Sequence, residues 1–140
     1  MKHLEVSAAI LIYKDYLLCT QRGEGKYKYV SFKYEFPGGK IEPGESPKEA
    51  LRRELFEEMD VDIKTENMQF FYTVNHKYPD FEVTMHSFFC PMKSDAFNLK
   101  EHIDYKWVDI DNIDSLDWAP ADIPIVRELK KKGLYYSWEL

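Results

Sequence analysis

Three glutamates, Glu54, Glu57 and Glu58, stand at i, i+3 and i+4 within the run ALRRELFEEMDV. On a helix that spacing stacks their carboxylates on one face. Carboxylates so close repel and raise one another's pKa, and divalent cations held by hard oxygen ligands relieve the repulsion. Arg53 lies one turn from Glu49 and Glu57, within reach of orienting either by an ion pair. A solvated acidic face has the same spacing. Upstream, Gly38-Gly39 reads as a tight turn and weighs toward a built site.

The element that must carry these residues has a clear beginning. Ser46-Pro47-Lys48-Glu49 is a capping box with proline at the first helical position, so a helix starts at Ser46. Leu51, Leu55 and Met59 then form an apolar stripe beside the acidic face. Before it, Glu35-Phe36 is extended, because Pro37 biases Phe36 away from helix. Residues 6–13 and 16–20 read as a hairpin across Lys14-Asp15. Residues 21–33, with two glycines and alternating lysine and tyrosine, read as an exposed loop, either beside a ligand or simply basic and loose. A second hairpin joins residues 68–76 and 81–90 across Tyr78-Pro79-Asp80. A short strand at 105–109 and an amphipathic helix at 121–132, closed by three lysines and Gly133, complete the chain. Strands with two helices inserted among them predict an α+β fold, with a mixed sheet between helices, as a single domain over residues 1–140.

Composition narrows the function. A net charge of -6 argues against a protein that tracks a nucleic acid polymer, yet leaves a nucleotide open, since metal ions bridge acidic protein to phosphate. Cys19 and Cys90 lack any CxxC spacing and read as structural thiols in a reducing cytoplasm. The N-terminal apolar run follows Glu5 and ends at Lys14-Asp15, so neither a signal peptide nor a membrane span is expected. Nothing points to an obligate protein partner.

Taken together, residues 38–61 resemble the Nudix box: a glycine, five residues, a glutamate, seven residues, then Arg-Glu-aliphatic-x-Glu-Glu-x-Gly-aliphatic. Gly39, Glu45, Arg53, Glu54, Leu55, Glu57, Glu58 and Val61 fill those positions. Asp60 stands where the family has glycine, at a helix end where a left-handed residue is expected. The resemblance implies a Nudix-type α/β/α sandwich. It also implies a site in which Glu54, Glu57, Glu58 and the Gly38 carbonyl hold Mg²⁺ or Mn²⁺, while Arg53 orients a glutamate and Glu45 supports the loop.

MutT-type members of that family place a glutamate six residues before a tryptophan strand, and Glu101 keeps this spacing to Trp107. The resemblance makes Glu101 a further metal ligand or general base, against the plainer reading of an exposed loop carboxylate. His102 beside it is set aside, as lone loop histidines are more often inert. Arg22, Phe36 and the segment 119–126 match residues that surround base and sugar in the same group. Phe36 either stacks on a base or packs in the core. Asp122 stands where the MutT-type group has asparagine. When ionised it only accepts hydrogen bonds, which favours an edge rich in N–H donors such as cytosine. Capping the last helix is its other reading.

The expectation is therefore a cytoplasmic, Mg²⁺-dependent pyrophosphohydrolase acting on a nucleoside triphosphate. CTP or a modified dCTP is preferred slightly over an oxidised purine such as 8-oxo-dGTP. A nucleotide-binding sensor without turnover is the competing function, and the complete set of Arg53, Glu54, Glu57 and Glu58 argues against it.

Overall fold

A computed structural model describes residues 1–134. Its organising element is strand β1, Lys2–Tyr13, apolar on both faces in its second half. Side chains alternate along a strand, so Ala8, Ile10 and Ile12 point to one side and Ala9 and Leu11 to the other. Two separate cores thereby share one strand. The strand begins at Lys2 rather than residue 6, because its polar first half pairs along β6 (Phe81–Pro91) while staying largely exposed. An apolar run alone could not reveal that part.

The β1–β6 ladder is parallel, from Lys2 opposite Phe81 to Ile12 opposite Pro91. Apart from an isolated parallel bridge between Tyr34 and Trp118, the other pairings among the described residues are antiparallel, so the sheet is mixed as expected. Strand β2 (Tyr16–Gln21) returns from β1 through Lys14 and Asp15, both left-handed, the conformation a tight hairpin turn needs. The remaining strands are β3 (Tyr34–Glu35), β4 (Gly38–Lys40), β5 (Gln69–Lys77) and β7 (Asp104–Val108). The main path runs β3-β2-β1-β6-β5, with β4 on β1 and β7 on β2.

Helix α1, Pro47–Met59, buries Leu51, Leu55 and Met59 against Ala9, Leu11, Leu18 and Phe88. Each buried leucine contributes about 1.5–3 kcal/mol of apolar transfer. Its capping box is complete: Ser46 Oγ accepts from the Glu49 amide at 3.1 Å, and Glu49 Oε1 from the Ser46 amide at 2.8 Å. Helix α2, Ile123–Lys132, sets Ile125, Val126 and Leu129 against the other face, with Ile10, Phe36 and Trp118. Helices on opposite faces of a mixed sheet make the sandwich expected above.

Two expectations need correction, and a third is narrowed. Gly38 and Gly39 lie in strand β4 and form no turn; β1 approaches so closely that a Cβ on Gly38 would stand 2.0 Å from the Ser7 carbonyl oxygen. The last helix starts at Ile123, since Pro120–Asp122 forms a separate 3-10 turn before it. The 21–33 loop is exposed along much of its length, as expected, but is not loose: Tyr27 meets Phe81 with ring centroids 5.2 Å apart, Tyr29 stacks on Tyr78 at 4.9 Å, and Val30 is buried. Both cysteines are buried and free, and burial pushes their thiols up, as structural thiols require. Among the described residues no helix is long and apolar enough to cross a membrane.

Candidate active site

The capping box fixes the register of α1, and the register turns Arg53 and Glu54 toward β4. Arg53 closes a fork on Glu45, with Nε donating to Oε2 at 2.6 Å and Nη2 to Oε1 at 3.0 Å. The same guanidinium donates to the Lys40 carbonyl at 3.0 Å, to Glu54 at 2.9 Å and to Glu57 at 3.3 Å. Only a planar, multiply donating group can satisfy so many acceptors at once. The Arg53 hydrogen bonds, with one from the Glu42 amide, hold the Glu45 carboxyl down to about 2. Gly39 sits against Glu54, and a Cβ there would lie 2.3 Å from the Glu54 carboxyl carbon. Glycine at 39 thus leaves the space that the carboxylate occupies.

Glu58 has no arginine. Burial first, then the adjacent Glu101 carboxylate to which it hydrogen-bonds, then Glu54 and Glu57, raise its carboxyl above the ordinary value. Glu101 lies against Glu58 on the acidic face of α1, from an exposed position just before β7.

Around β3, both oxygens of Glu35 are engaged: Oε1 accepts from Arg22 Nη1 at 3.2 Å, and Oε2 lies 2.8 Å from His102 Nε2. Phe36 is core. Its ring stacks on Trp118 at 4.6 Å and is 3% exposed, which is the core packing expected as the alternative to stacking on a base. Its backbone N–H instead donates to Asp122 Oδ1 at 3.1 Å. Asp122 occupies the N-cap position of α2, yet its side chain makes no cap bond and turns inward, 2% exposed. Burial and the charge of Glu35 push its carboxyl well above the usual range, against the opposing pull of the Phe36 amide and Arg22.

Among the described residues no three His, Cys, Asp or Glu side chains converge as a ready-made metal site. Arg53 draws on Glu54 and Glu57, while Glu58 lies against Glu101. The donors nevertheless fit a divalent cation. They are hard oxygens, the glycine at 39 makes room for one of them, and a cation between the carboxylates relieves their repulsion.

Residues 1–129 match the NUDIX domain. The chain is 30% identical over 132 residues to an 8-oxo-dGTP diphosphatase of Escherichia coli (strain K12), covering 94% of this chain and 99% of that one. It is 31% identical over 132 residues to a CTP pyrophosphohydrolase of the same organism, covering 91% of each. The crystal structure of the MutT protein from Methanosarcina mazei Go1 superposes with a TM-score of 0.78 at 26% identity, over 93% of this chain and 94% of that one. The chain belongs to the Nudix family.

It is a Nudix pyrophosphohydrolase of the MutT-like group. Its one departure from the Nudix box has a structural explanation. Asp60 is left-handed (φ 57°, ψ 32°), the conformation glycine would supply. Its carboxylate accepts from Asn98 Nδ2 at 2.6 Å and Lys100 Nζ at 2.9 Å, and these bonds hold it below its usual pKa. Lys100 also donates to the Glu57 carbonyl at 3.2 Å, fastening the segment before Glu101 to the end of α1. Asn98, Lys100, Glu35 and His102 were not legible as site residues. The available signal was the polar cluster NLKEH around Glu101, whose partners are distant in sequence.

Proposed function

We propose that this Nudix enzyme hydrolyses a nucleoside triphosphate to a nucleoside monophosphate and pyrophosphate with Mg²⁺, Mn²⁺ being an alternative. Glu54, Glu57, Glu58, Glu101 and the Gly38 carbonyl would hold the cation. The observation that carries the reading is the meeting of Glu101 with the α1 carboxylates, an excess of negative charge in which Glu58 has no ion-pair partner among the described residues, its neighbours Glu101, Glu54 and Glu57 all being acidic. A divalent cation there neutralises polyphosphate charge and activates water. The chain's own groups do the rest. Arg53 fixes the Glu54 carboxylate against Gly39, so that this ligand is in place before substrate arrives. Glu58, whose carboxyl is raised by burial and by the neighbouring carboxylates, would accept a proton from the attacking water, with Glu101 beside it. By the resemblance to MutT-type enzymes Arg22 would contact the nucleotide, and Asp122, buried and braced by the Phe36 amide, would meet the base only where binding opens its surroundings.

Asp122 bears directly on substrate choice. With its carboxyl raised toward the neutral form, it donates as well as accepts, and so suits a keto edge as readily as an amino edge. The preference for a cytosine nucleotide loses its electrostatic ground, and CTP, a modified dCTP and 8-oxo-dGTP all stand as substrates. The relatives named for 8-oxo-dGTP and CTP support this range. We place the reaction in a reducing cytoplasm, which two free buried thiols suit. A panel of these nucleotides and their canonical counterparts with Mg²⁺ tests the reading, by release of pyrophosphate from at least one of them. Absence of pyrophosphate from every triphosphate would overturn it.

A further inference from the structure

We propose that His102 is a positioning residue which, by gripping Glu35, holds the segment carrying Glu101 in place against the α1 carboxylates. The inference rests on the proposed role of Glu101.

Glu101 itself is poorly anchored. Its side chain is exposed and its contact with Glu58 is between like groups, so it cannot supply its own restraint. The regular ladder of β7 begins only at Asp104 opposite Gln21, preceded by one backbone bond from the Ile103 amide to the Gln21 carbonyl at 2.9 Å. The two residues that flank Glu101 are tied to different elements. Lys100 reaches the C-terminal end of α1, while His102 reaches β3. Glu101 is suspended between these two ties.

The tie at His102 is the better protected one. Its side chain is 11% exposed and that of Glu35 21%, whereas Lys100 and Asp60 are 48% and 43% exposed. Solvent and salt therefore screen the His102 bond less. Glu35 is itself fixed: its other oxygen takes the Arg22 bond, its backbone pairs with Thr20, and its carbonyl accepts from Thr20 Oγ1 at 3.0 Å. An acceptor locked from three directions transmits its position to the donor. Moreover, Glu35 lies three residues before Gly38, whose carbonyl is the other cation donor outside α1. One side-chain bond thus ties together the two backbone segments that must meet α1. Partners of this kind, which orient a ligand without touching the reacting atoms, are worth roughly 10–100-fold in metal affinity or activity.

The experiment compares the full chain with His102→Ala and His102→Gln, the latter retaining an N–H donor. Amide hydrogen exchange is followed over residues 94–103, Mn²⁺ affinity is measured by titration, and kcat and KM are measured on a nucleotide that the panel shows to be cleaved. In His102→Ala, exchange around Glu101 should accelerate, and Mn²⁺ affinity and kcat should fall roughly 10–100-fold, with KM changing less than about twofold. His102→Gln should recover most of the loss. Unchanged exchange in His102→Ala overturns the proposal. So does an equal loss in both variants accompanied by a lowered Tm, which would mark His102 as merely structural. If the parent cleaves no nucleotide, the proposed reaction fails, and exchange together with Mn²⁺ affinity still decides the role of His102.

Discussion

Two groups of carboxylates meet at helix α1 and are treated oppositely by their surroundings. At one end Glu45 and Glu54 bond to Arg53, and the Glu45 carboxyl is held down to about 2. At the other, Glu58 faces Glu101, Glu54 and Glu57, and its carboxyl is raised. The balanced group has already found its cation in the protein, whereas the unbalanced group keeps a deficit of positive charge. Position follows from the first and affinity for an added cation from the second. A site with arginine at both ends would be more stable and would have no reason to bind a metal.

Neutralising the unbalanced end gives the largest expected effect. Glu58→Gln should lower turnover by about 10²–10³-fold, as for loss of one well-placed electrostatic group. Without added metal it should also raise Tm, because a repulsive charge is gone. A variant with lowered Tm and intact turnover would break the contrast. At the balanced end, Arg53→Lys retains a positive charge and loses the fork on Glu45 together with the reach to Lys40. Turnover should fall roughly 10–100-fold, and here Tm should fall as well. Opposite signs of the metal-free Tm change in the two variants are the measurement that sharpens the comparison.

Asp122 extends the contrast to a buried group. Its folded pKa is raised, so the folded state holds a proton that the unfolded state releases between the ordinary carboxylate range and the raised value. Stability is then lost as pH climbs through that window, with a limiting slope of about 1.4 kcal/mol per pH unit for one proton. Asp122→Asn should flatten the slope in urea denaturation followed at several pH values. A parent whose stability does not decline over that range would show that Asp122 is ionised when folded.

Local chemistry made much of this readable from residue order alone. The capping box fixed the start of α1, and with it the face shared by Glu54, Glu57 and Glu58. Turn residues located both hairpins. What could not be read depends on partners remote in the chain. Gly38-Gly39 resembles a turn until Ser7 is known to press against it, and Phe36 suits a base until Trp118 covers it. Asp122 has the residue type and place of a helix cap, yet the Phe36 amide claims its side chain. His102 reads as a lone histidine because Glu35, its partner, is separated from it by three strands and a helix.

The parallel ladder between β1 and β6 also governs when the site can exist. Its first pair joins Lys2 to Phe81, so the strand at the centre of both cores must wait for more than half of the chain to be synthesised. Helix α1, with its local cap, can sample its shape far sooner, but Glu101 follows β6 and arrives later still. Contacts so far apart in sequence slow folding, because loop closure must precede the gain from pairing. On the ribosome, the arginine-balanced end of the site has all its residues early, and the carboxylate that completes the unbalanced end is among the last to emerge.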